Sequence, residues 1–205
     1  MAKTYHHGDL REALIAKTLE MIQKNESHLI GFRELARRLN VSRTAPYRHF
    51  ESIENLLSVV VEEGFQNFIE ALTPVVEDIT LSDKARFMQI GIVYIDFAVK
   101  HSTHYQLMFD QRFFQKGEFN QVENLAKKAF ELLRQTAAAC LDSEASKQES
   151  YEIAHLAWAS VHGISKLIID GQWNYMRDRQ KFIRYSCERL LALCESSKSS
   201  AKEPI

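Results

Sequence analysis

The chain has 205 residues, of which 45% are hydrophobic and 26% are charged, so it can bury a substantial core in one or two compact domains. It has only seven glycines and three prolines and no run of alternating β-branched residues, which favours an all-α fold with short connections. The most apolar stretch, IGIVYIDFAV, is interrupted by Asp96 and falls short of the roughly 18 apolar residues of a membrane span. The start, MAKTYHHGDL, lacks the features of an export signal, which favours a cytoplasmic protein.

Charge is unevenly distributed along the chain. Residues 1–50 carry nine Lys/Arg and five acids, a net charge of +4, whereas the remainder carries −5. A basic head favours a polyanionic partner, although an excess of this size also occurs on ordinary solvated surfaces. The three cysteines, Cys140, Cys187 and Cys194, have no CxxC spacing, which indicates reduced thiols rather than a disulfide or zinc framework.

The first two helices are predicted from capping and spacing. Asp9 and Glu12 fit a reciprocal cap at the start of the first helix. The segment GFRELARRL then predicts a short second helix. The apolar stripes of the two helices are Leu10, Ala13, Leu14, Met21 and Ile22, then Phe32, Leu35, Ala36 and Leu39.

A third helix is predicted directly after the second. Asn40-Val41-Ser42 fits a tight turn, because Asn tolerates the left-handed backbone conformation and Ser42 can cap a new helix. Pro46 then lies about one turn into that helix, where its missing N–H is tolerated. Two short helices joined by a three-residue turn after a longer helix indicate a helix-turn-helix.

The predicted third helix is rich in polar and aromatic side chains. Arginine can fork onto guanine, and Thr, Tyr and His can reach phosphate oxygens or a thymine methyl, so the element suits a major groove. A solvated helix face is the alternative. The residues concerned are Ser42, Arg43, Thr44, Tyr47, Arg48 and His49.

The stretch RELARRLNVSRTAPYRHFESIENLL resembles the DNA-binding head of the tetracycline-repressor (TetR) family of transcriptional regulators. The similarity spans about residues 8 to 60 and includes the Arg-x-Leu-Ala and Tyr-x-His-Phe elements in order. Downstream, Trp158, His162 and Gly163 in AWASVHGISKLIIDG resemble the Trp/His-Gly signature of one C-terminal domain type in this family.

The resemblance implies a DNA-binding domain at 1–53, a helical ligand-binding and dimerisation domain at 54–196, and operator DNA as the partner. It also implies that Arg33 and Arg43 approach bases. Three positions depart from the common family pattern: Gly31 replaces a hydroxyl residue, Asn40 a glycine, and Ile53 a lysine. The losses at 31 and 53 remove phosphate contacts, so we expect non-specific affinity for DNA to be weaker than is usual in the family.

Two longer helices are predicted to follow the head. Ser52 caps one that ends near Pro74, and another runs from Ser82 to about His101 and is apolar nearly all round. Gly91, in the second, is expected to admit a close neighbour.

Aromatic residues downstream mark the candidate ligand site. The segment HYQLMFDQRFF is either part of an apolar pocket or filled core, and the pattern does not separate the two. His162 is either a pocket donor or a buried, hydrogen-bonded histidine. The predicted ligand residues are Tyr94, Phe97, Tyr105, Met108, Phe109, Phe113, Trp158 and His162.

Two apolar stripes near the C-terminus bury against the body or against another chain, and the resemblance implies that their helices form a dimer interface. Glu152, His155 and His162 match only half of a di-iron motif, so no metal or other cofactor is predicted. Residues 197–205 form a polar tail that is predicted to be disordered. The predicted interface residues are Ile164, Ile168, Ile183, Cys187, Leu190, Leu191 and Cys194.

These features together predict a homodimeric repressor that a small, largely apolar ligand releases from a palindromic operator. An enzyme is disfavoured, because no nucleophile, base and orienting residue converge in a motif and no glycine-rich phosphate loop is present. A purely structural adaptor would not need so many donors on neighbouring short helices.

Overall fold

The computed structural model describes residues 7–114, 119–141, 146–172 and 178–200, with the side chains of 7–9, 179 and 193–200 left aside. Within these residues the chain forms eight α-helices and no strand, which confirms the all-α prediction. The helices are α1 (His7–Gln23), α2 (Phe32–Arg38), α3 (Ile53–Glu77), α4 (Asp83–Lys100), α5 (Ser102–Met108), α6 (Asn120–Ala139), α7 (Lys147–Ile169) and α8 (Arg179–Ser200).

The chain divides into two compact units, with breaks within α3 after Gly64, at the start of α5 and within α6. Unit 1 comprises residues up to Gly64 and Thr103–Glu123, and unit 2 comprises Phe65–Ser102 and the residues from Asn124 onward. The functional domain limits 1–53 and 54–196 stay a prediction, since compact units are defined by contacts and not by function.

Unit 1 is built on the predicted apolar stripes. Leu14, Met21 and Leu35 are fully buried, and Phe50 is 3% exposed. The α3–α5 contact is close: a Cβ placed on Gly64 would lie 2.9 Å from Met108 Cγ. Unit 1 therefore has a packed interior of its own.

The turn after α2 follows the expected chemistry. Asn40 has φ of 55°, in the left-handed region that asparagine tolerates. The Val41 N–H donates to the Ala36 carbonyl at 3.0 Å and the Asn40 N–H to the Arg37 carbonyl at 3.3 Å, as in a Schellman cap. Asn40, which stands where the family usually has glycine, therefore preserves the cap at the end of α2.

The predicted third helix is present among the described residues only as a 3₁₀ turn at Pro46–Arg48, which is shorter than expected. Pro46 has no N–H to donate to the Ser42 carbonyl, which accepts the Ala45 N–H at 3.0 Å instead. The His49 N–H likewise donates to the Pro46 carbonyl three residues back, at 3.0 Å. Bonds of this span close 3₁₀ rather than α turns.

The cap of α3 was predicted correctly and its end was not. The Asn55 N–H donates to Ser52 Oγ at 3.1 Å. However, α3 continues through Pro74 to Glu77. In the last turn a proline deprives only the Glu70 carbonyl of its usual partner, and Val75 beyond it is buried, which favours the continuation.

In unit 2, α4 packs against both α7 and α8. The predicted start near Ser82 is confirmed: Ser82 caps α4 by accepting the Ala85 N–H at 3.3 Å. The close neighbour expected at Gly91 is confirmed, because a Cβ placed there would lie 2.8 Å from Cys187 Sγ. This contact joins α4 to α8.

The C-terminal helix is longer than predicted. Residues 197–200 of the predicted disordered tail are helical, and no Gly or Pro between Arg179 and Ser200 interrupts α8. Residues 201–205 lie outside the described residues.

Candidate functional site

An arginine-lined groove lies on unit 1 beside the turn that joins α2 to the 3₁₀ element. Arg33 and Arg43 are exposed, and neither forms an ion pair among the described residues. The groove is lined by Leu29, Gly31, Arg33, Glu34, Arg37, Val41 and Arg43.

Most of the predicted DNA-contacting side chains are accessible. Ser42, Thr44 and Arg48 are exposed, and Ser42 Oγ lies 3.3 Å from Thr44 Oγ1. Tyr47 is 64% exposed, yet its ring stands edge-on against the buried Phe32, with centroids 4.8 Å apart. The 3₁₀ element therefore presents donors despite lacking α geometry.

His49 is the exception among these residues. Its side chain is half-buried, and its Nε2 is enclosed without a hydrogen-bond partner among the described residues. Its Nε2 therefore cannot reach DNA in this conformation. His49 directly follows the 3₁₀ turn as its C-cap residue, a position that the sequence prediction did not anticipate.

Two arginines of α2 are tied to carboxylates, which the sequence reasoning missed. Glu34 accepts a forked pair of bonds from Arg37, Nε to Oε2 at 2.8 Å and Nη2 to Oε1 at 2.7 Å, and a third from Arg38 Nε at 2.7 Å. These bonds lower the pKa of Glu34 to about 2. Arg38 also pairs with Glu26. The i,i+3 and i,i+4 spacing of Glu34 with the two arginines is the signal that predicts these pairs.

The predicted ligand residues divide between the units. In unit 1, Tyr105, Met108 and Phe113 are at most 1% exposed, and the Tyr105 and Phe109 rings lie 4.9 Å apart. This packing corresponds to the filled-core alternative for that segment.

In unit 2, Tyr94 is fully buried and joins two polar side chains of α7. Trp158 Nε1 donates to the Tyr94 hydroxyl at 3.1 Å, and that hydroxyl lies 3.5 Å from His162 Nδ1. Burial lowers the pKa of His162, and nearby Lys166 adds to the effect. Phe97 packs against Phe68, with ring centroids 4.9 Å apart.

A small cavity lies beside Trp158 and has a volume of about 20 Å³, which is room for about one water molecule. Trp158 is the one predicted ligand residue in its lining. A larger ligand therefore requires the cavity to open. The lining residues are Phe87, Ile90, Gly91, Leu133, Thr136, Ala157, Trp158, Val161, Cys187 and Leu190.

Several predicted dimer residues are buried within the chain itself, and their place in an interface stays a prediction. Ile164 and Ile168 are 8% exposed, and Ile183 and Cys187 at most 2%. Burial raises the pKa of Cys187 to about 11. Leu190 and Leu191 are half-buried against a cluster of Phe87, Ala137, Cys140 and Ala154. The side chain of Cys194 lies outside the described residues.

The outer face of α7 carries exposed apolar side chains that are not among the predicted interface residues, beside the exposed Glu152, His155 and Lys166. Leu156 is 45% exposed and Leu167 is 40% exposed. Between them, a Cβ on Gly163 would meet nothing within 4 Å. In the part of the chain that the structure describes, no helix is both long and apolar enough to cross a membrane.

The chain is similar to known proteins in both sequence and fold. Residues 87–190, just over half of the chain, match the family described as Tetracyclin repressor-like, C-terminal domain. Among proteins with curated descriptions, none matches the chain.

Solved structures share the fold over most of their length. A protein of unknown function from Rhodococcus sp. RHA1 is 26% identical, with 94% of this chain and 99% of that chain covered and a TM-score of 0.78. A regulatory protein of the tetR family from Rhodococcus RHA1 is 15% identical, with coverage of 90% and 96% and a TM-score of 0.71. AibR in complex with isovaleryl coenzyme A and operator DNA is 16% identical, with coverage of 90% and 97% and a TM-score of 0.67. The chain therefore belongs to the tetracycline-repressor-like family of transcriptional regulators.

Proposed function

We propose that this regulator is a cytoplasmic homodimeric repressor that binds a near-palindromic operator through its arginine-lined groove and 3₁₀ element. The observation that carries the proposal is the exposure of Arg33, Arg43, Tyr47 and Arg48 on adjoining short elements. Unpaired guanidinium groups at a protein surface are suited to guanine edges and to phosphates.

The proposal of a homodimer is supported by the outer face of α7. Leu156 and Leu167 lie three helical turns apart, and the open side of Gly163 lets another helix approach between them. Isologous pairing of this face presents two identical heads to two related half-sites.

The effector is proposed to be small and largely apolar, with one or two polar groups. Its site is proposed beside Trp158, because this residue lines the small, mostly apolar cavity and its Nε1 donates to the Tyr94 hydroxyl, which lies 3.5 Å from His162 Nδ1. AibR, a structural relative, is complexed with both isovaleryl coenzyme A and operator DNA, which favours an acyl group as the first ligand class to test.

Fragment capture tests the DNA-binding proposal. The purified chain is mixed with sheared genomic DNA from its source at fixed salt, and the retained fragments are sequenced. We expect enrichment of fragments that share a near-palindrome. Retention without any shared sequence contradicts sequence-specific regulation.

Reciprocity tests the effector proposal once a retained fragment is in hand. Acyl compounds of increasing chain length are titrated against free and operator-bound protein. A ligand that releases DNA must bind more weakly to the complex by the same factor by which it weakens DNA binding. Equal ligand affinities in the two states contradict the proposed switch.

A further inference from the structure

We propose that Glu34 is a specificity-determining residue of the DNA-binding surface, because it holds Arg37 in an ion pair and so withholds a cation from phosphates. This inference rests on the proposed DNA-binding function and concerns the same groove.

The geometry brings Glu34 and three arginines into one groove. Arg33 and Arg43 line it without ion-pair partners among the described residues, whereas Arg37 lines it while paired. The Arg37 side chain is 70% exposed, so phosphates can reach it, but its Nε and Nη2 both point at the Glu34 carboxylate. A forked pair of this kind fixes orientation as well as charge.

Pairing Arg37 lowers the part of the affinity that does not depend on sequence. Non-specific binding comes almost entirely from cations that neutralise phosphates and release counterions, whereas base contacts distinguish sequences. A groove with two unpaired arginines and one paired arginine therefore favours reading bases over general attraction to DNA.

Arg38 does not compete for the same role. Its side chain is only 19% exposed, and it keeps Glu26 as a partner when Glu34 loses its charge. The cation that Glu34→Gln sets free is therefore Arg37. The remaining pair also helps to hold α2 in place in that variant.

The test uses the full chain and a random-sequence DNA duplex, so no operator is needed. The logarithm of the binding constant is measured against the logarithm of the salt concentration. In Glu34→Gln we expect tighter binding and a slope steeper by about 0.9, the value for one additional phosphate contact. The double variant Glu34→Gln/Arg37→Ala is expected to return to the original slope.

Glu20→Gln is the matched control. Glu20 is also held by two cations, Lys17 and Lys24, and lies in unit 1, but it does not line the groove. The substitution changes the net charge by the same amount, and we expect no change of slope. Circular dichroism and thermal unfolding verify that each variant is folded.

Three outcomes overturn the inference: an unchanged slope in Glu34→Gln, a steeper slope that survives Arg37→Ala, or an equal change in Glu20→Gln. Failure of the proposed function has a separate signature. The unaltered chain then shows no salt-dependent binding to the duplex at all.

Discussion

The rings of Phe32 and Tyr47 stand at 80° to each other with centroids 4.8 Å apart, which links α2 to the 3₁₀ element. Phe32 is buried and Tyr47 is 64% exposed, so one ring belongs to the interior of the head and the other to its surface. An edge-to-face pair of this kind contributes about 0.5–1.5 kcal/mol. Phe32 thereby orients a side chain of the proposed DNA surface without facing DNA itself.

Phe32→Leu is expected to weaken operator binding several-fold, because Leu fills much of the buried site but gives Tyr47 no ring edge. The same substitution made in a Tyr47→Ala background is expected to leave operator affinity unchanged. Binding is measured at fixed salt in this double-mutant cycle. Equal losses in both backgrounds would mean that Phe32 acts only through the stability of the head.

Gly91→Ala tests the contact between α4 and α8. Alanine favours a helix over glycine by about 1 kcal/mol, but here its Cβ would lie 2.8 Å from Cys187 Sγ, and overpacking costs about 1–3 kcal/mol. We therefore expect a lower free energy of unfolding in urea.

Cys187→Ala supplies the control for that contact. It removes the sulfur, and the next nearest atom of α8 is Cys187 Cβ at 3.9 Å. In this background Gly91→Ala is expected to stabilise the protein. Destabilisation of the same size in both backgrounds contradicts the proposed steric cause.

Glu34 is expected to make unfolding pH-dependent in the acid range. Its pKa falls from 4.5 to about 2 through hydrogen bonds from Arg37 and Arg38. A depressed pKa in the folded state stabilises the protein above the unfolded value, and this stabilisation is lost as the pH falls from about 5 towards 2. Urea midpoints at pH 6, 4 and 2.5 should therefore fall less steeply in Glu34→Gln. Identical pH profiles would show that the pair is absent in solution.

The prolines and caps show what the sequence could and could not predict. The caps by Ser52 and Ser82 and the left-handed turn at Asn40 depend on neighbouring backbone groups, so local residues suffice to predict them. Pro46 and Pro74 misled the prediction of helix extent. At Pro46 the missing N–H favours 3₁₀ bonds, whereas near the end of α3 Pro74 costs little and the burial of Val75 favours the continuation.

The predicted site residues also include some that local sequence suffices to predict and others that it does not. Arg33 and Arg43 are exposed, as their predicted role in DNA binding requires. The Nε2 of His49, which follows the 3₁₀ turn, is enclosed, and local sequence spacing does not predict this. The stripe that includes Ile183 and Cys187 fitted either the chain's own body or a second chain. An apolar stripe has the same residue spacing whether it packs on its own chain or on a second one, so only tertiary packing distinguishes the two.

Leu156→Arg is expected to convert the proposed dimer to a monomer, because it places a charge on the outer apolar face of α7. Ile79→Arg is the control: Ile79 is 92% exposed in the loop between α3 and α4, outside that face. Sedimentation equilibrium distinguishes the two. A Leu156→Arg variant that remains dimeric places the interface elsewhere.

Operator binding by Arg43→Ala tests the central claim most directly. Arg43 is exposed in the groove, and loss of one bidentate base contact costs about 1–3 kcal/mol of discrimination, or roughly 5- to 150-fold. Lys128→Ala, an exposed cation on α6, removes the same charge outside the head. The measurement is the ratio of operator affinity to random-duplex affinity for both variants at one salt concentration. We predict that this ratio collapses in Arg43→Ala and persists in Lys128→Ala, and an undiminished ratio in Arg43→Ala would contradict sequence reading by this surface.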